Sequence, residues 1–139
     1  MDLRKTSSHA VFNLKAHLVF VTKYRRKTLS KPMLEYLETA FTESLAGWGC
    51  ELIEFGGEED HVHLLISFTP TTRLSDLVNN LKASSAKRCR NRYQEHLAKF
   101  YRTPVFWTRA YFAASVGGAP LEVIRKYVET QGSKPRRPA

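Results

Sequence analysis

Apolar positions along the chain fall into two periods, and their order predicts the architecture. From Leu14 to Thr22 the residues alternate and become β-branched, which predicts a strand with His17, Val19 and Val21 on one face and Leu18 and Phe20 on the other. Ser30 can cap a helix with Pro32 in its first turn. Leu34, Leu37, Phe41, Leu45 and Trp48 then recur at spacings of three and four, and Gly47 and Gly49 bracket the end. Cys50 to Phe55 predicts a second strand, followed by a turn at Gly56-Gly57-Glu58-Glu59. Residues 60–68 predict a third strand that ends before Pro70. A second helix runs from Leu74 to about Tyr93, with Leu74, Leu77, Val78, Leu81, Ser85 and Cys89 as its stripe. Gln94 to Arg102 reads as a connector with a helical turn. Val105 to Val116 predicts a fourth strand, broken at Gly117-Gly118. Ala119-Pro120 opens a last helix carrying Leu121, Val123, Ile124, Tyr127, Val128 and Gln131. The order β-α-β-β-α-β-α predicts an α+β, ferredoxin-like (split βαβ) antiparallel sheet, with both helices of the repeat on one face. One domain spans residues 1–139, with about 1–10 and 132–139 expected to be flexible.

Composition narrows the class. With 42% hydrophobic residues, the 139-residue chain is too apolar for a disordered one and long enough to bury a core. Twenty-two Lys+Arg against 13 Asp+Glu give a net charge of +9, which points to a polyanionic partner, nucleic acid before membrane. No run is long and apolar enough to span a bilayer, and the N-terminus leads into no signal-peptide core, so a cytoplasmic, nucleoid-associated location is expected. Cys50 and Cys89 have no metal-ligand spacing and are expected to be reduced and structural.

The cations are grouped. Lys23-Tyr24-Arg25-Arg26-Lys27 sets four around one aromatic, a pattern suited to gripping phosphates while a base stacks on Tyr24. Lys82, Lys87, Arg88, Arg90 and Arg92 share a helix with Ala83, Ser84 and Ala86. No acid stands between Leu81 and Asn91, and a sugar-phosphate backbone can approach such a face closely.

Asp60-His61-Val62-His63 carries the chemistry. In a strand, His61 and His63 stand side by side, while Val62, Leu64, Ile66 and Phe68 face the core. Two neutral imidazoles can hold a divalent metal. Asp60 and His17 are candidates to support them from behind. Tyr127 and Gln131 are four apart and share a helix face. If that helix crosses the free sheet face, Gln131 adds an amide oxygen and Tyr127 stands beside the same ion. Two nitrogens, one oxygen and open positions suit Mg²⁺ or Mn²⁺, and leave Zn²⁺ and Co²⁺ open. Attack by the phenol on a phosphodiester gives a phosphotyrosine and a free sugar hydroxyl, and conserves the bond for later reversal.

These blocks resemble a known family. His61-Val62-His63 matches the His-apolar-His motif of the HUH nickases. The chain as a whole is similar to the small single-tyrosine HUH transposases of the insertion-sequence type, relatives of the tyrosine transposases associated with repeated palindromes. The likeness runs through Ala16-His17-Leu18-Val19-Phe20, Lys23-Tyr24-Arg25-Arg26, Asp60-His61-Val62-His63-Leu64-Leu65, Leu81-Lys82-Ala83-Ser84-Ser85, Trp107-Thr108-Arg109-Ala110-Tyr111-Phe112 with Ser115-Val116-Gly117-Gly118, and Tyr127-Val128-Glu129-Thr130-Gln131. It implies that Tyr127 is the nucleophile and that His61, His63 and Gln131 are the metal ligands. It implies a homodimer in which the tyrosine helix of one subunit completes the site of the other. The implied substrate is single-stranded DNA with hairpins at the element ends, nicked and rejoined through a 5′-phosphotyrosine. Glu129-Thr130 stands where an asparagine often precedes the glutamine. Two other readings make different demands. A non-catalytic nucleic-acid-binding module would bind without metal and form no adduct. A metal-dependent phosphodiesterase that activates water would tolerate loss of Tyr127.

Overall fold

The computed structural model describes residues 5–7, 10–12, 14–115 and 121–133, the helix and strand side chains at 5–7, 10–12, 121–124 and 132–133 excepted. Strands β1 (Lys5–Ser7) and β2 (Ala10–Phe12) form a two-stranded antiparallel ladder. The main elements follow as β3 (Leu14–Val21), α1 (Lys31–Gly47), β4 (Glu51–Glu58), β5 (His61–Phe68), α2 (Leu74–Arg92), α3 (Gln94–Ala98), β6 (Phe112–Ser115) and α4 (Leu121–Ser133). The sheet runs β4-β5-β3-β6, with every neighbouring pair antiparallel. With β3 counted as the first strand of the repeat, this is the predicted ferredoxin-like order.

The two helices of the repeat cover one sheet face because their stripes match its apolar side. Met33, Leu37, Phe41 and Leu45 of α1 and Leu77, Val78 and Leu81 of α2 are buried with Leu18, Phe20, Val62, Leu64 and Ile66. Ser30 caps α1 by accepting a hydrogen bond from the Met33 N–H at 3.4 Å. Gly49, at φ +71°, turns the chain out of α1. Ser85 belongs to the buried stripe because its hydroxyl accepts from the Trp107 indole at 2.9 Å. Cys50 and Cys89 are free and buried, and burial pushes the Cys89 thiol up to about 12.

Two expectations are corrected. The Gly56-Gly57 pair is not a turn. It lies within β4, opposite His63 and Val62, and the turn is Glu59-Asp60. A Cβ on Gly57 would meet the His61 carbonyl oxygen at 2.8 Å, so the glycine permits a close backbone approach. The fourth strand begins at Phe112 rather than Val105. Upstream of it, Phe106 and Trp107 are buried in the core, and Thr22 and Trp107 form an isolated bridge. The Lys82 ammonium donates to the carbonyls of Thr108, Arg109 and Ala110 at 2.8, 2.6 and 3.4 Å, acceptors that a longer ladder would have used.

The second sheet face is covered by α4. Val19, Val21 and Val128 are buried together, flanked by Phe112, Ala114 and Tyr127. The glycine pair Gly117-Gly118 expected to break the fourth strand lies outside the described residues, as do the residues from Lys134 onward.

Candidate active site

The register between β3 and β5 decides what shares the α4 face. Val21 pairs with His61 and Val19 with His63, so both imidazoles emerge on the side that α4 covers. Their ring centroids are 6.5 Å apart and tilted by 32°. His17 pairs with Leu65 on the same face, one step beyond His63.

Each ring is positioned differently. His61 is held by a relay: its Nδ1 lies 2.8 Å from Asp60 Oδ1, and Arg25 Nε donates to Asp60 Oδ2 at 2.9 Å. Asp60 is mostly buried, and burial alone would raise its pKa. The hydrogen bonds and charges of His61 and Arg25 outweigh that and hold it below the usual carboxylate range. A carboxylate on Nδ1 makes that atom the donor and leaves Nε2 as the free acceptor. His63 instead rests on bare backbone. A Cβ on Gly56 would stand 2.5 Å from its Nε2 and 2.6 Å from its Cε1, so only glycine leaves room for the ring. Burial first, and then the neighbouring His61, push the His63 pKa below its ordinary value, which favours the neutral ring.

The loop carrying Arg25 is strained. Tyr24 and Arg25 have φ of +58° and +54°, a left-handed conformation costing of order 1–3 kcal/mol per non-glycine residue. Several bonds hold it: Lys23 N–H to the Phe106 carbonyl at 2.8 Å, Tyr101 Oη to the Lys23 carbonyl at 2.7 Å, and Arg26 Nη1 to the Phe100 carbonyl at 2.6 Å.

A cavity of about 380 Å³ lies over the histidines. It is bounded by Arg25, Asp60, His61 and His63 on the sheet side and by Arg125, Val128 and Glu129 from α4. Tyr127 and Gln131 are on the same helix but do not line it. The Tyr127 ring packs on Phe112 with centroids 5.5 Å apart, its buried hydroxyl has no hydrogen-bond partner among the described residues, and burial raises its pKa. Gln131 is half-buried. Among the described residues no group of three His, Cys, Asp or Glu is suited to a metal.

The cations expected to meet DNA have differing occupations. Lys82 is committed to the carbonyls before β6, and burial lowers its pKa. Arg88 donates to Glu43 at 3.0 Å, an acid on α1 that the run Leu81 to Asn91 does not reveal. Lys23 lies 5.3 Å from the centre of the Tyr24 ring. Lys27 and Lys87 are exposed, and Arg90 borders a surface hollow with Lys23 and Arg109.

Comparison with known proteins identifies the family. A family model described as "Transposase IS200 like" matches residues 10–131. The ISDra2 transposase TnpA of Deinococcus radiodurans is 32% identical over 134 residues, covering 96% of this chain and 94% of that protein. The transposase for insertion sequence element IS200 of Salmonella typhimurium is 26% identical over 131 residues, covering 94% and 85%. A crystal structure of a transposase candidate from Deinococcus radiodurans superposes with a TM-score of 0.85 at 28% identity, over 94% of this chain and 99% of that one. A tyrosine transposase bound to a REP hairpin shares the fold, with a TM-score of 0.56 at 11% identity over 90% and 68%. With a family match over most of its length and a near-full-length relative above 30% identity, the chain belongs to the IS200-like transposase family and is a transposase, an enzyme that cuts and rejoins DNA.

Proposed function

We propose that the transposase works on single-stranded DNA, with Tyr127 as nucleophile and His61, His63 and Gln131 as the protein donors to a divalent metal. The observation that carries this reading is that α4 lies on the sheet face from which both imidazoles emerge. The donor chemistry fits a metal. His61 offers Nε2 because Asp60 occupies Nδ1, and burial favours the neutral form of His63. Two nitrogens and an amide oxygen with vacant positions suit Mg²⁺ or Mn²⁺. When bound, the ion supplies charge neutralisation and orientation at the phosphodiester.

The protein's own groups do the rest. The Tyr127 oxygen forms a bond to phosphorus and loses its proton, while the bond from phosphorus to the 3′ oxygen breaks and that oxygen takes up a proton. The products are a 5′-phosphotyrosine and a 3′-hydroxyl, and a second 3′-hydroxyl reverses the step on a new strand. In the conformation described, α4 turns Arg125, Val128 and Glu129 to the histidines, and roughly a third of a turn about the helix axis separates that face from Tyr127 and Gln131. Either α4 turns or a partner copy supplies its own helix. The partner-supplied site is the one we adopt, in a homodimer. Its check is a mixture of two inactive variants, Tyr127→Phe and His61→Ala, which is expected to regain cleavage because one composite site is intact.

The test of the reaction is incubation of the protein with labelled single-stranded hairpin DNA and Mn²⁺, followed by a denaturing gel. A DNA-shifted protein band that requires both the metal and Tyr127 supports it. Cleavage to free phosphate ends with no adduct favours the hydrolase reading instead. Binding to hairpin DNA is expected to weaken steeply with salt, as phosphate contacts by Lys and Arg require.

Two further results are expected. Gly56→Ala forces the His63 ring to move while leaving the strand paired, so Mn²⁺ affinity by calorimetry falls roughly 10–100-fold with the circular dichroism spectrum unchanged. The second concerns pH without metal. Because folding depresses the His63 pKa below 6.5, its contribution to stability is complete above that value and is lost as pH falls through the depressed one. The urea midpoint is expected to drop between pH 7 and pH 5, and less so in His63→Gln.

A further inference from the structure

The strained loop between β3 and α1 separates two cavities. Arg25 projects into the histidine cavity. Tyr24 and Arg26, its neighbours on either side, line another cavity of about 550 Å³ together with Lys99, Tyr101 and Arg102. That volume lies within the roughly 300–1,000 Å³ range of small-ligand sites. The left-handed backbone at Tyr24 and Arg25 is what sends successive side chains to opposite sides. The second cavity is built rather than incidental. Its two walls are tied by the Arg26–Phe100 and Tyr101–Lys23 hydrogen bonds, and the Arg26 guanidinium lies 5.4 and 6.0 Å from the centres of the Tyr24 and Tyr101 rings. Tyr24 is nonetheless 46% exposed. Lys99 and Arg102 stand exposed on the opposite wall. Sequence reading left this stretch as a mere connector, because its cations meet the loop only in three dimensions.

We propose that this second cavity holds one unstacked nucleotide of the DNA strand, its base on the Tyr24 ring and its phosphate between Lys99 and Arg102, a short step along the strand from the phosphate at the histidines. An exposed aromatic ring beside a cationic wall is the arrangement that stacks a base while neutralising its backbone. The site rests on the single-stranded DNA reading above and deepens it. It fixes the strand's path across the loop and makes one base position matter without a hydrogen-bonded code.

The test uses the Tyr127→Phe protein, so that binding is read without strand cleavage. An abasic nucleotide is walked along the single-stranded flank of a hairpin DNA and affinity is measured by fluorescence anisotropy. At one position the abasic change is expected to weaken binding about tenfold, within the range for loss of one base–aromatic stack. Adding Tyr24→Ala is expected to weaken binding to intact DNA by a similar factor and to erase the penalty at that position, whereas Tyr24→Phe keeps it. Adding Lys99→Ala with Arg102→Ala is expected to lower the salt slope by about one. An abasic profile identical with and without Tyr24→Ala overturns the proposal, as does a salt slope unchanged by the double substitution. Failure of the tyrosine mechanism is read separately, as absence of a covalent adduct in the Tyr127-containing protein.

Discussion

Tyr127→Phe is expected to abolish covalent adduct formation and cut DNA strand cleavage by roughly 10⁴–10⁶-fold, the scale for removing the attacking group from a concerted site. Stability should move the other way. Among the described residues the buried Tyr127 hydroxyl has no partner, and an unsatisfied buried donor costs about 1–3 kcal/mol. The phenylalanine ring keeps the contact with Phe112 and discards that cost, so the variant is expected to unfold at a higher urea concentration, with a gain of about 1 kcal/mol. A loss of activity through misfolding would carry the opposite sign.

His61→Ala carries the second large effect. It removes one imidazole and also leaves Asp60 with only Arg25 to compensate it. Mn²⁺ binding by calorimetry is expected to fall below detection, and cleavage to drop on the order of 10³-fold, as expected for losing several kcal/mol of charge stabilisation at the phosphodiester. DNA binding measured without metal is expected to change little, because the role proposed for His61 is to hold the ion, while Lys and Arg side chains carry the phosphate contacts. If cleavage is unaffected, the imidazole pair is structural and the reading fails at its first step. Asp60→Asn is a gentler probe of the same relay, since it keeps the shape but loses the charge that Arg25 and His61 share.

The parts of the fold that the sequence made legible are those set by side-chain period. The alternation in Leu14–Val21 and His61–Phe68 and the stripes of α1 and α2 each point one way, and the sheet order follows from their succession. The HxH pair was readable because a strand puts residues two apart on one face. What was hidden depends on distant partners. Gly56 looks like a turn residue until the ring of His63 occupies the place of its missing Cβ. Val105 to Tyr111 looks like a strand until Lys82 takes the carbonyls of Thr108, Arg109 and Ala110. Arg88 looks uncompensated until α1 brings Glu43 beside it. Arg25, one of five residues in a cationic run, gives no local sign that it alone turns to Asp60. Nor does helical spacing reveal which face of α4 meets the histidines, because Tyr127 and Gln131 share one face while Arg125, Val128 and Glu129 share another.

The most direct measurement is peptide mapping of the protein–DNA adduct. Protein reacted with single-stranded hairpin DNA and Mn²⁺ is digested with nuclease and protease, and the nucleotide-bearing peptide is identified by mass spectrometry. A 5′-phosphodeoxynucleotide attached to Tyr127, and absent when metal is withheld, is the predicted result. A modified residue other than Tyr127, or cleaved DNA with no modified peptide at all, would contradict the account.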